Sequence, residues 1–260
     1  MRRAVFKTWS KRITLKAPWE IELLRRANSI VAEVLCRLAE EAKPGVSTWD
    51  LEVLAEALCR KRGGRPAFKG YRGYPYALCV SINEEIIHGM PREDKVLKEG
   101  DIVSFDFGVE YEGYIGDAAL TVSVGRVSEL AERLMRVTEE ALYIGIDRAR
   151  VGNRVGDISA AIQRHVESHG FAVVRDFVGH GVGRELHEPP EIPNFGRPGK
   201  GPRLQAGMVL AIEPMVVTGS PGVRVLEDRW TAVTEDGGLA AHFEHSVAVT
   251  ARGPEILSKI

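Results

Sequence analysis

Two aspartates in a predicted β-hairpin constrain this chain more than any other sequence feature. Residues 101–122 predict two strands joined by a turn near Gly113, because apolar side chains occupy alternate positions from Val103 to Val109. Asp106 falls on the opposite face of the first strand, and Asp117 lies on the return strand. Two interpretations are open. In the first, each aspartate faces water on a half-exposed hairpin. In the second, the hairpin holds the two side by side around a cation, which removes the repulsion between the bare carboxylates.

Composition restricts the class of protein. The chain has 260 residues, of which 44% are hydrophobic and 27% charged, and its formal net charge is -1. These values are typical of a globular protein with a large buried core and give no indication of specific nucleic-acid or membrane binding. No apolar run approaches the ~18 residues of a transmembrane helix. Three cysteines without Cys-x-x-Cys spacing, Cys36, Cys59 and Cys79, favour a reducing compartment, so we expect a cytoplasmic protein.

The first residues carry a local excess of positive charge. Six cations precede the first acid, Glu20, and they are Arg2, Arg3, Lys7, Lys11, Arg12 and Lys16. We interpret residues 1–13 as a solvated basic arm, while contact with the ribosome or RNA and an organelle address stay open as its role. Residues 14–260 contain no linker rich in Pro, Gly and Ser, which predicts a single domain.

Apolar spacing predicts four helices and several strands. The predicted helices begin at Pro18, Ser47, Ser128 and Asp157 and end at Lys43, Gly63, Arg148 and Gly170. The third has Leu130 on its apolar face. The predicted strands outside the hairpin cover residues 77–82, 171–177, 208–217, 223–233 and 239–250. Two helices followed by strands occur twice along the chain, which predicts two α+β halves that share one sheet system, with a site at their junction.

Further acids and histidines occur in unusual surroundings. Glu213 and Glu244 lie in apolar strand patterns, and a buried glutamate requires a partner. An ion pair with Arg224 or Arg229 is the alternative for Glu213, and a polar strand face is the alternative for Glu244. His180 lies in a glycine-rich segment that we predict to be irregular, and no helix pattern follows it to support a phosphate site.

Charge balance favours two cations among these acids. Asp106, Asp117, Glu213 and Glu244 would bring four negative charges into one cavity, and two divalent cations neutralise them while His180 stays neutral. Two such ions together activate a water molecule that bridges them. Carboxylates with a single imidazole suit Mn, Fe(II), Co or Zn, and the sequence does not distinguish among these metals. Of the other histidines, His88 is predicted in a loop, whereas His242 and His245 are interpreted as structural.

The chain resembles the type I methionine aminopeptidases, which have the pita-bread fold, from about Thr14 to Thr250. The matching stretches are Tyr74-Pro75 through Cys79, Ser81 to Glu84 with His88-Gly89, Asp101 to Asp117, Gly179 to Gly183 through His187-Glu188-Pro189, Ile212 to Met215, and Glu244-His245-Ser246. The resemblance implies two pseudo-symmetric α+β halves around a central antiparallel sheet. It also implies a hydrolase that removes the initiator methionine from nascent polypeptides and prefers a small second residue.

The resemblance implies a set of five ligands for two metal ions. These residues are Asp106, Asp117, His180, Glu213 and Glu244. Asp106 would bind one ion, His180 with Glu213 would bind the other, and Asp117 with Glu244 would bridge the two.

The resemblance also implies catalytic and substrate-binding residues. Glu213 would act as general base, His187 would hydrogen-bond the scissile carbonyl group, and His88 would help to protonate the leaving amine. The pocket for the methionine side chain would be built from Phe68, Tyr71, Tyr74, Cys79, Leu186 and Trp230. Phe68 and Leu186 depart from the commoner family pattern, in which a Cys and a Phe are frequent, and this leaves the fine substrate preference open.

Two other functions are weighed against this one. Proline-specific peptidases have the same fold and two metal ions, but they usually carry a further N-terminal domain, and only some 17 residues precede the first predicted helix here. A non-enzymatic relative that binds ribosomes or RNA would be expected to lack metal ligands, and all five positions are filled. The enzyme is expected to act as a compact single unit without the helical insertion of type II enzymes, and a monomer is the default expectation.

Overall fold

The computed structural model describes residues 12–259, so most of the predicted basic arm, residues 1–11, lies outside the described part. The four α-helices of this part are α1 Pro18–Glu41, α2 Thr48–Lys61, α3 Glu129–Asp147 and α4 Val155–Ser168. A short 3-10 helix covers Tyr71–Gly73. The strands of the first half are β1 Arg65–Pro66, β2 Leu78–Ile82, β3 Glu85–Ile87, β4 Ile102–Tyr111 and β5 Tyr114–Ser123. Those of the second half are β6 Ala172–Val173, β7 Gly179–Gly181, β8 Glu188–Ile192, β9 Val209–Ile212, β10 Met215–Val217, β11 Val223–Val225, β12 Ala232–Thr234, β13 Ala240–His242, β14 Glu244–Thr250 and β15 Gly253–Ile256.

One nine-stranded antiparallel sheet runs through both halves. Its strand order is β1-β4-β5-β14-β9-β7-β8, with β2 also paired to β4 and β15 to β14. The halves meet where β14 pairs with β5, and the residues in register there are Glu244 with Ala119 and His245 with Ala118. Two three-stranded sheets, β13-β10-β6 and β11-β12-β3, complete the fold. The predicted α+β class and the shared sheet are therefore confirmed.

Each half has its own helix pair and apolar core. α1 and α2 pack together and α1 covers β4 and β5, whereas α3 and α4 pack together against the second half. The apolar faces of each pair are buried in separate clusters, one around Leu38 and Phe105 and the other around Leu134 and Ile162. Within residues 12–259, none of the helices combines the length and apolar character needed to cross a membrane.

Helix ends follow from local side-chain capping. The predicted capping box at α2 is present, because the Ser47 hydroxyl accepts from the Asp50 backbone nitrogen at 3.1 Å and the Asp50 carboxylate accepts from the Ser47 backbone nitrogen at 3.3 Å. The predicted start of α4 at Asp157 is wrong by two residues. The Asp157 carboxylate accepts from the Arg154 backbone nitrogen at 2.7 Å, so this aspartate lies inside the first turn. Leu130, expected on the buried face of α3, is 46% exposed.

The long strands predicted in the second half are interrupted. The stretch 208–217 divides into β9 and β10 at Pro214, which has no backbone N–H to continue a ladder. The stretch 239–250 divides at Phe243, whose backbone nitrogen donates to the Pro214 carbonyl oxygen at 3.4 Å. The two breaks lie side by side. At Pro214 the chain passes from the large sheet to the sheet of β13, β10 and β6, and at Phe243 it returns to the large sheet. Only 172–173 of the predicted strand 171–177 is extended and paired, and 223–233 is divided into β11 and β12.

A buried ion pair holds the start of the folded region in place. Lys16, counted above among the cations of the N-terminal region, is buried, and its Nζ lies 2.6 Å from Glu188 Oε2. The other oxygen of Glu188 accepts from the Arg184 backbone nitrogen at 2.9 Å. Lys16 therefore anchors the start of the folded region and does not belong to a solvated arm.

We predict that Gly116→Ala lowers the free energy of unfolding by about 1–3 kcal/mol, as overpacking does. A Cβ atom at Gly116 would lie 2.6 Å from the Asn28 backbone nitrogen and 2.7 Å from the Ala27 carbonyl carbon, so α1 must move away from β5. Urea unfolding of the two proteins measures the difference. The control is Gly196→Ala, where the nearest atom is a side-chain atom of Ser159 at 3.3 Å. Equal losses in the two variants would contradict the prediction.

Candidate metal centre

Strand register places three of the predicted ligands on one face of the large sheet. Ala119 on β5 lies between Asp106 on β4 and Glu244 on β14, each directly paired with it. Asp117 precedes Ala119 by two residues, so its side chain points to the same face. The methyl group of Ala119 leaves room for the three carboxylates around it, and Asp106 and Asp117 lie diagonally across the hairpin rather than directly opposite each other.

A second row adds the histidine. Asp117 is paired with Gly108 on β4, and His180 on β7 is paired with Ala211 on β9. Ser246 lies between them, because it is paired with Ala211 and its hydroxyl donates to the Asp117 carbonyl oxygen at 2.8 Å. The small side chains of Ser246 and Ala211 therefore separate Asp117 from His180 in this row.

The segment around His180 is a strand, which corrects the prediction of irregular structure. Gly179 and Gly181 flank His180 in β7, and added Cβ atoms would lie 2.4 Å from the Ala211 carbonyl oxygen and 2.4 Å from the Pro189 carbonyl oxygen. The absence of a side chain at these two glycines thus allows β7 to pack closely against β9 and β8. The pairing of β7 with β9 and β8 fixes His180 in a buried position.

Glu213 lies at the break between β9 and β10 rather than inside a continuous strand. Its carboxylate has histidines on both sides, with Oε1 3.5 Å from His180 Nε2 and Oε2 3.4 Å from His242 Nε2. The alternative ion pair with Arg224 or Arg229 is not formed, since both arginines are exposed and neither is paired with Glu213 among the described residues.

The cluster is buried and incompletely hydrogen-bonded. Asp117, His180 and Glu244 are at most 4% exposed, and one ligand atom from each lies within 4.8 Å of the other two. His180 Nε2 is 3.8 Å from Asp117 Oδ2, which is beyond hydrogen-bonding distance. Within residues 12–259, the buried side-chain atoms without a hydrogen-bond partner are Asp106 Oδ1, Asp117 Oδ1, His242 Nε2 and Glu244 Oε1. All four belong to this cluster, whereas buried polar atoms are normally satisfied.

Burial opposes ionisation of the acids. It raises the pKa of Asp106 and of Glu213 to about 7. Burial, with the neighbouring carboxylates second, raises the pKa of Asp117 and of Glu244 well above the usual range. Burial likewise lowers the pKa of His180, so its imidazole is neutral at pH 7 and its lone pair is available to a metal.

The donor set fits divalent cations. Four carboxylates and a neutral imidazole, with oxygen atoms that lack hydrogen bonds, are what a cation of the Mn, Fe, Co or Zn class binds. His180 Nδ1 lies 2.9 Å from the Gly181 carbonyl oxygen, and a carbonyl only accepts. The proton is therefore on Nδ1, and Nε2 faces the carboxylates as a ligand atom.

An apolar cavity of about 340 Å³ adjoins the acids. The predicted residues of the methionine pocket all line it, and they are Phe68, Tyr71, Tyr74, Cys79, Leu186 and Trp230. Tyr74 and Trp230 form an edge-to-face pair with ring centroids 5.1 Å apart. All five predicted metal ligands line the same cavity, and so do Arg72, Asp176 and Glu191. A narrow aromatic slot of this kind suits a flexible apolar side chain.

Two further histidines line this cavity. His187 Nδ1 lies 2.8 Å from the Tyr71 hydroxyl, and the two rings are stacked. His88 has a positive φ of 58° and packs edge-on against Phe177; such backbone conformations cluster at functional sites. Burial lowers the pKa of His88 to about 4 and that of His187 to about 2, so both imidazoles are neutral at pH 7.

Two residues beside the candidate site were not predicted to lie there. His242, interpreted as structural without a site, is buried and touches Glu213. Its position two residues before Glu244 was an available signal. Phe177, expected only as a strand residue, lines the cavity and packs on His88. No local pattern indicated this contact, because it depends on the loop after β6.

Comparison with known proteins agrees with the geometry. The sequence pattern of metallopeptidase family M24 matches residues 22–251. The methionine aminopeptidase of Clostridium acetobutylicum is 54% identical over 246 residues, which cover 95% of this chain and 98% of that protein. Both findings span the whole of the site described above.

Solved structures confirm the predicted pita-bread fold. The methionine aminopeptidase of Thermotoga maritima superposes with a TM-score of 0.95 at 53% identity, over 96% of this chain and 100% of that one. The prolidase of Pyrococcus furiosus has a TM-score of 0.76 at 23% identity and shares the fold over 95% of this chain but only 65% of its own. The chain belongs to metallopeptidase family M24, in the branch formed by the methionine aminopeptidases.

Proposed function

We propose that this chain removes the N-terminal methionine from peptides and nascent polypeptides. The observation that supports the proposal most directly is the contact between the acidic cluster and an aromatic pocket that ends beside it. The cluster is suited to hydrolysis, and the pocket is suited to one apolar side chain. The names of relatives that share half of its sequence support the same substrate.

Asp106, Asp117, His180, Glu213 and Glu244 would hold the metal ions, and Asp117 and Glu244 would be shared between two cations. When bound, divalent cations lower the pKa of water and withdraw charge from a peptide carbonyl group. Two cations are proposed because four carboxylates share the cluster, and Mn, Fe(II), Co and Zn are all compatible with these donors.

The protein's own groups then handle protons and orient the substrate. Glu213 keeps 11% of its side chain exposed and accepts the proton that the attacking water loses. His187 Nδ1 lies 2.8 Å from the Tyr71 hydroxyl. With this hydroxyl as the donor the ring proton is on Nε2, which would donate to the carbonyl oxygen of the scissile bond. His88, on the same cavity wall, hydrogen-bonds the departing amide nitrogen, and the proton that Glu213 has accepted is returned to that nitrogen.

The remaining aspects of the proposal concern the setting of the enzyme. We place the catalytic domain at residues 14–260 and expect it to act as a monomer in the cytoplasm. The preference for a small second residue, and a transient contact of the basic arm with ribosomes, belong to the same proposal. A proline-specific activity is the competing function, and the known enzyme of that kind compared above is much longer than this chain.

Peptide specificity separates these functions. We expect the metal-loaded enzyme to release methionine from Met-Ala-Ser and to leave Ala-Pro-Ser intact, because the pocket is apolar and closed by aromatic rings. Chelator-treated protein is loaded in turn with Mn, Co, Zn and, without air, Fe(II), and free amino acids are measured. Cleavage of only the proline peptide would contradict the proposal, and cleavage of neither peptide with any metal would favour the non-enzymatic relative.

The proposed bridging ligand gives a second prediction. Asp117→Ala is expected to reduce activity at least about 100-fold and to lower the bound metal content, because it removes a ligand from both cations. Metal analysis and circular dichroism accompany the kinetics. The control is Glu110→Gln on the same hairpin, whose carboxylate pairs with Arg65 at the surface. Retention of most activity in Asp117→Ala would contradict the assignment of this residue.

The raised carboxylate pKa values predict how the stability of the metal-free protein depends on pH. Unfolded histidines, with a pKa of about 6.5, are largely neutral only above a pH of about 7.5, where the buried histidines of the folded protein are neutral too. Unfolded carboxylates are ionised there, whereas the folded cluster still binds protons, since burial raises the pKa of Asp117 and of Glu244 well above the usual range and that of Asp106 and of Glu213 to about 7. The folded state binds more protons, so its free energy of unfolding falls as pH rises from about 7.5 to about 8.5.

Urea unfolding of chelator-treated protein across this range tests the prediction. Asp117→Asn should flatten the fall with pH, because it removes one of the buried charges, and Glu110→Gln should not. Added Mn²⁺ should stabilise the wild type more at the higher pH, because fewer protons must leave the carboxylates when the ion binds. The prediction would be contradicted if the free energy of unfolding did not change with pH and Asp117→Asn had no effect on it.

A further inference from the structure

Three metal-ligating side chains meet on the solvent-facing side of the pair α3 and α4. Glu140 belongs to α3, His165 lies in the last turn of α4, and His169 follows at its end. One ligand atom from each lies within 4.8 Å of the other two. None of the three lines the cavity beside the acidic cluster, so this group, the interhelical His/Glu cluster, is separate from the proposed active site.

The geometry of the interhelical His/Glu cluster is close to that of a metal site. Residues four apart on a helix share a face, and the rings of His165 and His169 have centroids 4.5 Å apart. His165 Nε2 lies 3.0 Å from Glu140 Oε2. Ligands about 2.0–2.1 Å from a tetrahedral cation are about 3.3 Å from one another. Small rotations of the exposed Glu140 and His169 side chains therefore suffice to bring the three ligand atoms around one ion.

The orientation of His169 adds an independent indication. Its Nδ1 lies 2.8 Å from the His165 carbonyl oxygen, and a carbonyl can only accept a hydrogen bond. The ring proton is therefore on Nδ1, and Nε2 carries a lone pair. A backbone carbonyl that holds the second ring nitrogen in this way is the usual support of a metal-bound histidine.

We propose that Glu140, His165 and His169 bind a divalent transition metal ion of the class that prefers imidazole, such as Zn²⁺, with water completing the coordination. The ion joins α3 to the C-terminal end of α4 and so stabilises the helix pair of the second half. The alternative is that these side chains act without an ion, with His165 hydrogen-bonded to Glu140 and His169 capping the helix end.

Zinc stoichiometry distinguishes the two. Tag-free, metal-stripped protein is dialysed to equilibrium against Zn²⁺, and bound zinc is counted for the wild type, His169→Asn and Glu140→Gln. We expect the wild type to bind one ion more than His169→Asn, and Glu140→Gln to bind that ion at least about tenfold more weakly. Glu139→Gln is the matched control, since Glu139 is the exposed neighbour of Glu140 on α3 and is outside the cluster.

Retention on immobilised Ni²⁺ is a second measurement, and it depends only on histidines at the protein surface. Immobilised Ni²⁺ reaches exposed histidines but not the buried acidic cluster, so the wild type should be retained and His169→Asn should pass through. Thermal unfolding confirms that each variant is folded, and Glu140→Gln keeps the test valid should His169→Asn fail to fold. Equal zinc content in the wild type and both variants, together with equal retention on Ni²⁺, would overturn the proposal.

Discussion

Four buried carboxylates lie close together where the two halves of this structure meet. Asp106, Asp117, Glu213 and Glu244 converge beside His180, and burial opposes the ionisation of each acid. Among residues 12–259, three of these acids, Asp106, Asp117 and Glu244, each have a buried oxygen without a hydrogen-bond partner, and the Nε2 atom of the neighbouring His242 also lacks one. Such a cluster is stable at neutral pH when protons or cations neutralise it. The family to which the chain belongs uses cations, which is the arrangement proposed for this protein.

The sheet provides the rigidity that this cluster needs. Four of the five predicted ligands lie on paired strands of the large sheet, with the small residues Ala119 and Ala211 between them, and Glu213 follows the end of β9. Because a register shift of one residue would turn every ligand to the opposite face, the same hydrogen bonds that build the sheet also define the site. The helix pair of each half packs against the strands of that half.

Much of the fold follows from local patterns, and the parts that do not have physical reasons. The hairpin of β4 and β5 and the start of α2 at the Ser47 capping box were predictable because strand alternation and capping are local. The strand at Gly179–Gly181 was not, since glycine has low strand propensity and the pairing depends on distant β9. The position of Glu213 at a break has no local signature either, because it depends on β9 and β10 belonging to different sheets.

The candidate site was less accessible from residue patterns alone. Each acid taken singly had an ordinary alternative, and only charge balance and family resemblance joined them. His242 was set aside because a histidine within an apolar strand is commonly structural. Its contact with Glu213 depends on the position of the break at Phe243, where two strands leave the large sheet together. Contacts that depend on such long-range pairing have no local signature.

Anomalous diffraction from crystals of the protein loaded with Mn²⁺ or Co²⁺ would show whether cations occupy the acidic cluster. We expect two anomalous peaks about 3.5–4 Å apart, each bounded by the predicted ligands, with Asp117 and Glu244 between them. A single peak would reduce the site to one cation. The absence of any peak at the acidic cluster, in fully loaded protein, would contradict the claim that cations neutralise it.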